Sequence, residues 1–257
     1  MMRTICVALF LCLLSTSVLA APPEPIWAGG SMRLSDESRP GYTAEIMISL
    51  GSVDSMYLFT QPMLTLTHAK LGVDLGLGTR MPAMSGQIIT GYNLFFDYTG
   101  DNSHKRLGAG FEVFHSAFSA HMNVYLPISG ENRGKEALPG FDLAMGIPIP
   151  DASFISLWPG MYFYSGRDRN DLKGLSLTMM IRPITPLAIS IGGRNDALQS
   201  GRDKSELFFK AELTMPFKRL GKDLFAFDKG TYPIDVNTRM DHRVVRESFI
   251  TYEKKRN

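Results

Sequence analysis

The chain has 257 residues, 24 of them Gly and 15 Pro, with a formal net charge of +2 at pH 7. That length suits one large all-β domain or two small ones, and the near-neutral balance gives no reason to invoke nucleic acid. Apolar residues make up an ordinary 44%, and beyond the extreme N-terminus no apolar run reaches the roughly 18 residues of a membrane-spanning helix.

The chain opens "MMRTICVALFLCLLSTSVLAAPPEP". Arg3 is a charged start, residues 5–14 an apolar centre, and Val18-Leu19-Ala20 a small-residue cleavage site. Residues 1–20 are therefore expected to be a signal peptide cut after Ala20, since Pro22 would follow a cut one residue later. An uncleaved anchor helix is the alternative, and the short apolar centre argues against it. No Cys follows the cut, so a lipid-modified start is not expected. Both cysteines, Cys6 and Cys12, fall inside this segment. The exported chain is expected to have no disulfide framework.

From there the sequence alternates with period 2, the mark of strands with one apolar face. Ala44, Ile46, Ile48 and Leu50 oppose Glu45, Met47 and Ser49. Leu71, Val73, Leu75 and Leu77 oppose Gly72, Asp74, Gly76 and Gly78. Ile88, Thr90, Tyr92, Leu94, Phe96 and Tyr98 oppose Gly91, Asn93 and Asp97. After a "TGDNSH" turn, Leu107, Ala109, Phe111 and Val113 oppose Gly108, Gly110 and Glu112. Phe118, Ala120, Met122, Val124 and Leu126 oppose Ser119, His121, Asn123 and Tyr125. Phe141, Leu143, Met145 and Ile147 oppose Asp142, Ala144 and Gly146. Leu175, Leu177, Met179 and Ile181 oppose Ser176, Thr178 and Arg182. Leu187, Ile189 and Ile191 oppose Ala188, Ser190 and Gly192. The last run sets Leu207, Phe209, Ala211, Leu213, Met215 and Phe217 against Lys210, Glu212 and Thr214. Less regular runs near 30–35, 56–65 and 153–165 bring the total to twelve candidate strands.

The connections near 51–55, 79–86, 148–152 and 183–186 are short or contain Pro. Those near 127–139, 166–173 and 195–204 are longer and polar. Short turns at one end and long loops at the other are the habit of outer-membrane barrels. The physical reason is strict: lipid satisfies no backbone polar group, so a sheet in lipid must close on itself. The expected fold is thus all-β, a transmembrane antiparallel barrel of about twelve strands over residues 30–217. A short periplasmic segment, 21–29, would precede it. A soluble β-sandwich shows the same alternation but does not explain the many glycines on the polar face. Trp27, Tyr98, Trp158, Tyr162 and Tyr164 are candidates for the aromatic girdles or for ordinary core.

After Phe217 the character changes. Residues 218–257 carry ten Lys or Arg and six Asp or Glu, a net charge of +4. Forty extended residues reach on the order of 130 Å, several times the roughly 30 Å hydrocarbon core, so this tail is long enough to thread back through the lumen. The expected lumen-lining residues are Asp74, Asn93, Asp97, Gly108, Gly110, Glu112, His121, Asp142, Lys210 and Glu212, with Glu45 and Arg182. The acidic members would attract Arg239, Arg243 and Arg246 of the tail. The glycines at 108 and 110 would admit a threaded chain, which bulky replacements would block. A disordered periplasmic tail is the alternative.

"GYNLFFDYTGDNSHKRLGAGFE" resembles the signature of the inverse autotransporter barrel, the translocator of the intimin and invasin adhesins. So do "VDLGLGTR", "VYLPISG", "GFDLAMG", "PITPLAISIGGR" and the looser ending "RESFITYEKK", in the same order along the chain. The resemblance implies a twelve-stranded barrel in the outer membrane of a Gram-negative bacterium. It also implies insertion by the barrel assembly machinery, and a linker passing through the lumen towards an extracellular adhesin passenger. The sequence stops at Asn257, about where such a passenger would start. The expectation is a barrel without its passenger, anchoring and exporting a C-terminal segment, with a separate passenger or adhesin as a candidate partner.

No enzymatic site is expected. The five His show no metal-site spacing, and no cofactor motif is present. His115 and Ser116 are strand neighbours and point to opposite faces. His121 and Ser119 share a face, but it is the expected lumen. Asp101 and His104 sit in a turn. A passenger-less pore is the second functional class and a Ser/His barrel hydrolase the third.

Overall fold

The structure, a computed structural model, describes residues 22–100, 103–166, 171–196, 205–219, 225, 227 and 232–254. The expected signal peptide with Cys6 and Cys12 lies outside the described residues. So do the tip of the "TGDNSH" turn with Asp101, the middles of the two loops near 166–173 and 195–204, most of the tail between 220 and 231, and the end of the tail from 255.

The strands are β1 (Glu24–Ser35), β2 (Gly41–Val53), β3 (Met56–Thr60), β4 (Met63–Thr67), β5 (Lys70–Ala83), β6 (Ile88–Thr99), β7 (Lys105–His115) and β8 (Ser119–Pro127). They continue with β9 (Lys135–Ala137), β10 (Gly140–Ile149), β11 (Ala152–Tyr164), β12 (Leu172–Ile184), β13 (Leu187–Asn195), β14 (Ser205–Pro216) and β15 (Tyr252–Lys254). All but β9 and β15 form one antiparallel sheet in chain order, and β1 pairs with both β2 and β14, which closes it. Both β3 and β4 lie between β2 and β5. They count as one interrupted strand, and the sheet is a closed barrel of twelve. The break falls at Gln61-Pro62, where Pro62 has no N–H to give the ladder. The chain stays attached there through Gln61 N to Gly76 O, 2.9 Å, and Ile46 N to Pro62 O, 3.2 Å.

β2 runs to Val53, into the connection expected at 51–55, β9 lies within the loop expected at 127–139, and two boundaries differ more widely. β5 continues past Gly78 to Ala83, and only Met84–Gly86 form the turn. β1 starts at Glu24, so most of the segment expected ahead of the barrel belongs to its first strand. In both places the alternation of apolar and polar residues fades while the backbone ladder continues.

The outward face is apolar. Leu75, Leu177 and Leu207 are 56%, 57% and 66% exposed on the isolated chain. Leaving such surface in water costs about 25 cal/mol per Å², and a closed sheet has no second layer to cover it; a bilayer does. Among the described residues no helix is long and apolar enough to cross a membrane.

The inward face is a packed polar and aromatic interior. Trp27 and Tyr164 are 3% and 4% exposed and belong to interior clusters, Trp27 with Met47, Phe59 and Phe95. Trp158 and Tyr162 line the interior cavity. The girdle reading is therefore corrected for these four, and only Tyr98 shares the outward face with Phe96. The inward glycines explain how rings fit inside. A Cβ on Gly76 would collide with the Phe95 ring, one on Gly78 with Phe59, and one on Gly146 with Trp158. Each ring lies against the bare backbone of a glycine on a neighbouring strand.

Candidate functional site

Of the residues expected to line the lumen, Asp74, Asn93, Asp97, Glu112, His121 and Glu212 are buried, and Asp142 and Lys210 line the interior cavity. Asp74 and Asp97 are directly opposite on β5 and β6, as are Asn93 and Gly110 on β6 and β7, and Glu112 and His121 on β7 and β8. The inward face is in contact with residues between 234 and 249 of the chain's own C-terminal segment.

The contacts succeed one another along the barrel axis. Near the end with the short turns, Ile234 N donates to Ser116 O, 3.0 Å, and Val236 packs against Ile89 and Phe114. Next comes Arg80, fully buried. Its Nε and Nη2 donate to Glu112 Oε2 at 3.1 and 2.9 Å, and its Nη1 to the carbonyls of Met240 and His242 at 2.7 and 2.6 Å. From β1, Trp27 Nε1 donates to Asp241 O, 2.7 Å.

At mid-height the segment supplies the cations. Arg243 pairs with Glu45 at 2.9 Å and with Glu212. Gln61 donates to Glu45 at 2.6 Å and accepts from Val244 N at 3.2 Å. Arg246 donates to Asp74 at 2.9 Å and to Asp97 at 2.5 and 3.0 Å, with its guanidinium 4.0 Å over the Phe95 ring. Asn123 donates to Asp142 at 2.8 Å and to Val245 O at 3.1 Å.

Towards the end with the long loops, Glu247 accepts from Arg194 at 2.6 Å and from Arg33 at 3.5 Å. Tyr125 donates to Asp142 at 2.5 Å and accepts from Glu247 N at 2.8 Å. Arg106 donates to Asp97 at 2.8 Å and to the carbonyls of Glu247 and Phe249 at 2.6 and 3.5 Å. The Phe249 ring occupies the space a Cβ on Gly41 would need. Beyond it, β15 pairs with β9 in the loop after β8.

The exchange runs both ways. Barrel arginines 80 and 106 hold backbone carbonyls of the segment, while segment arginines 243 and 246 hold barrel carboxylates. Charge-assisted hydrogen bonds of this kind are roughly twice as strong as neutral ones, and their burial limits screening by salt.

Not every expected contact is present. Arg239 meets the ring of His242 at 3.1 and 3.2 Å, and no carboxylate pair is formed by it among the described residues. Of the two glycines expected to admit the segment, Gly108 lies beside it, with Arg246 Nη1 3.7 Å from its would-be Cβ. Gly110 instead makes room for the amides of Asn93 and Asn123, so its neighbours are barrel side chains. Lys210 pairs with Glu212 on its own strand, 3.0 Å. Arg80, Arg106, Arg33, Arg194, Tyr125, Gln61 and Glu247 were not in the expected set.

A cavity of about 230 Å³ remains between residues 243–249 and the wall of β8, β10 to β14, β1 and β2, lined by His121, Trp158, Thr178, Ser190 and Lys210 among others. The His121 ring lies 5.7 Å from that of Trp158. His115 Nδ1 accepts from Ala117 N at 3.2 Å. Among the described residues no group of three or more His, Cys, Asp or Glu could hold a metal ion.

A closed, lipid-facing barrel of twelve strands with a charged interior defines an outer-membrane β-barrel. Residues 29–244 match the model of the inverse autotransporter β-domain, and the chain belongs to that family. Among solved structures, a membrane protein from a study of in-meso crystallization gives a TM-score of 0.74 at 18% identity, covering 89% of this chain and 100% of its own. An outer membrane channel from Pseudomonas putida F1 gives 0.51 at 9% identity, covering 78% and 99%. KdgM porin gives 0.50 at 7%, covering 75% and 99%. At these identities the likeness is one of fold. Among curated proteins none is significantly similar in sequence.

Proposed function

We propose that this barrel anchors its own C-terminal segment in the outer membrane and delivers it to the cell surface. In this reading residues 1–20 are removed on export and the barrel assembly machinery inserts the strands. The segment 218–257 then threads the lumen from the periplasmic turns to the external loops. The barrel performs no catalysis. Its chemistry is the holding of an extended chain by buried charge.

The observation that carries the reading is the order of contacts: residues 234, 240–243, 246 and 249 touch successive levels of the inward face, and residue 252 touches the loop after β8. A tail lying loose at the turn end would leave Glu45 and Asp74 without the cations of Arg243 and Arg246, with Asp74 beside Asp97 on the neighbouring strand. Like charges confined in that way are costly, and the tail's net charge of +4 offsets them. An adhesin outside the cell, attached to the segment or separate from it, extends the same reading.

An epitope tag placed after Asn257 tests it. The tag should bind antibody on intact cells, and external protease should remove it. A tag reached only after the outer membrane is opened would overturn the threaded reading and favour a plugged pore.

A further inference from the structure

The connection between β8 and β10 does more than cross the barrel end. Asn132 and Lys135 exchange two backbone hydrogen bonds of 2.9 and 3.0 Å across Arg133 and Gly134, whose φ angles are 53° and 70°. Two consecutive positive φ values make the tight turn whose twist suits a hairpin. Both feet of the loop are tied to the barrel, through Ile128 N to Lys105 O at 3.0 Å and Ser165 N to Pro139 O at 2.8 Å. Leu138 is 1% exposed in a cluster with Tyr125 and Tyr164. The loop is therefore a fixed ledge, and β9 is its edge.

The occupant of that edge is β15. Ala137 pairs with Tyr252, Glu136 with Glu253 and Lys135 with Lys254, and Leu138 N extends the ladder to Thr251 O at 3.0 Å. The Tyr252 ring lies 4.3 Å from Lys135 Nζ and 6.4 Å from the stacked His104 ring.

We propose that β9 is a docking edge for extended chain leaving the barrel. It takes residues 251–254 by strand addition, prefers an aromatic ring at 252, and sets where the C-terminal segment stops. This inference rests on the threaded reading above. Backbone hydrogen bonds are tolerant of sequence, and so are the carbonyl contacts of Arg80 and Arg106 inside the barrel. A strand slipped by one residue, however, turns every side chain to the other face. Slippage would carry Tyr252 away from Lys135 and His104. The backbone bonds of the edge are thus tolerant of sequence, and the ring at 252 locks one register.

Leu138 and Thr251 form a hydrogen-bonded pair, so Ala137 and Tyr252 are a non-hydrogen-bonded pair. Such pairs have Cα atoms about 4.5 Å apart, within disulfide range. In the full chain, the Ala137→Cys and Tyr252→Cys pair should oxidise in isolated outer membranes. Its yield should exceed that of Ala137→Cys with Glu253→Cys by roughly tenfold, since the second pair points to opposite faces. Equal yields overturn the clasp. As a second measurement, amide exchange at residues 251–254 should accelerate at least about tenfold in Glu136→Pro, which removes a ladder donor, with Val244 and Arg246 still protected. Unchanged exchange at 251–254 overturns the clasp and leaves the threaded reading standing. Free exchange at Val244 and Arg246 in the unaltered protein overturns both.

Discussion

Arg246 donates to Asp97 through two hydrogen bonds of 2.5 and 3.0 Å across 149 residues of sequence, with the two side chains 4% and 1% exposed. Asp97 is also held by Arg106, and Arg246 also by Asp74. Four buried charges thus form one network between the barrel wall and the C-terminal segment. Removing one partner leaves a buried charge uncompensated, which typically costs 3–5 kcal/mol, about the same whether or not the intact pair is itself stabilising. Arg246→Ala should lower the unfolding midpoint of the micelle-embedded protein clearly. Adding Asp74→Asn should recover part of the loss, because the neutral amide needs no cation. Additive effects in that double-mutant cycle would deny the coupling.

Arg80 tests the other direction of the exchange. Its guanidinium spans Glu112 and the carbonyls of Met240 and His242. Hydrogen bonds to a charged group contribute roughly 1.5–3 kcal/mol each, and a Lys cannot fork to all three partners. Arg80→Lys should loosen the segment at the turn end while the barrel stays folded. The expected readout is more frequent current openings in a planar bilayer than the unaltered protein shows. An unchanged closed level would remove Arg80 from the holding of the segment.

The alternation of apolar and polar residues made the barrel legible from the sequence, because lipid enforces period 2 on one face with few exceptions. The wall carboxylates came with it, since a charge in such a strand has only the lumen to face. Arg80 escaped because Thr79-Arg80-Met81-Pro82 has weak alternation and a Pro, which reads as a turn. Phe95 escaped because it is apolar on the inward side, where the bare backbone of Gly76 receives it. The segment's partners were legible only as a sum of charge. Charge alone says that arginines meet carboxylates, but not that Arg243 and Arg246 do so while Arg239 meets His242. That choice depends on axial position, which local sequence does not encode.

The outward face gives a separate prediction. Leu75 lies on β5 beside Phe96 of β6 and is 56% exposed on the isolated chain. Arg on the lipid face costs about 2–4 kcal/mol near the bilayer midplane and little at the interfaces. Leu75→Arg should reduce the fraction that refolds into lipid vesicles, with a smaller effect in detergent, whose micelle deforms around the charge. Leu71→Arg, nearer the loop end of the same strand, should be milder. Equal refolding of Leu75→Arg and the unaltered chain in vesicles would mean that this face does not contact lipid.

The glycines separate the packing of the wall from the holding of the segment. A Cβ at Gly76 would collide with the Phe95 ring, whereas one at Gly108 would meet nothing nearer than 3.7 Å. Overpacking a filled interior costs about 1–3 kcal/mol. Gly76→Ala should therefore destabilise the barrel, and Phe95→Leu in the same chain should relieve part of the cost. Gly108→Ala should be close to neutral. A larger residue at Gly108 should press on Arg246 and weaken its hold on Asp74 and Asp97, while the same residue at Gly110 should first displace Asn93 and Asn123. Thermal unfolding reports the wall, and protease access to residues 236–254 reports the segment. The two should respond in opposite order for Gly76 and Gly108 variants, because Phe95 belongs to the wall and Arg246 to the segment that contacts it.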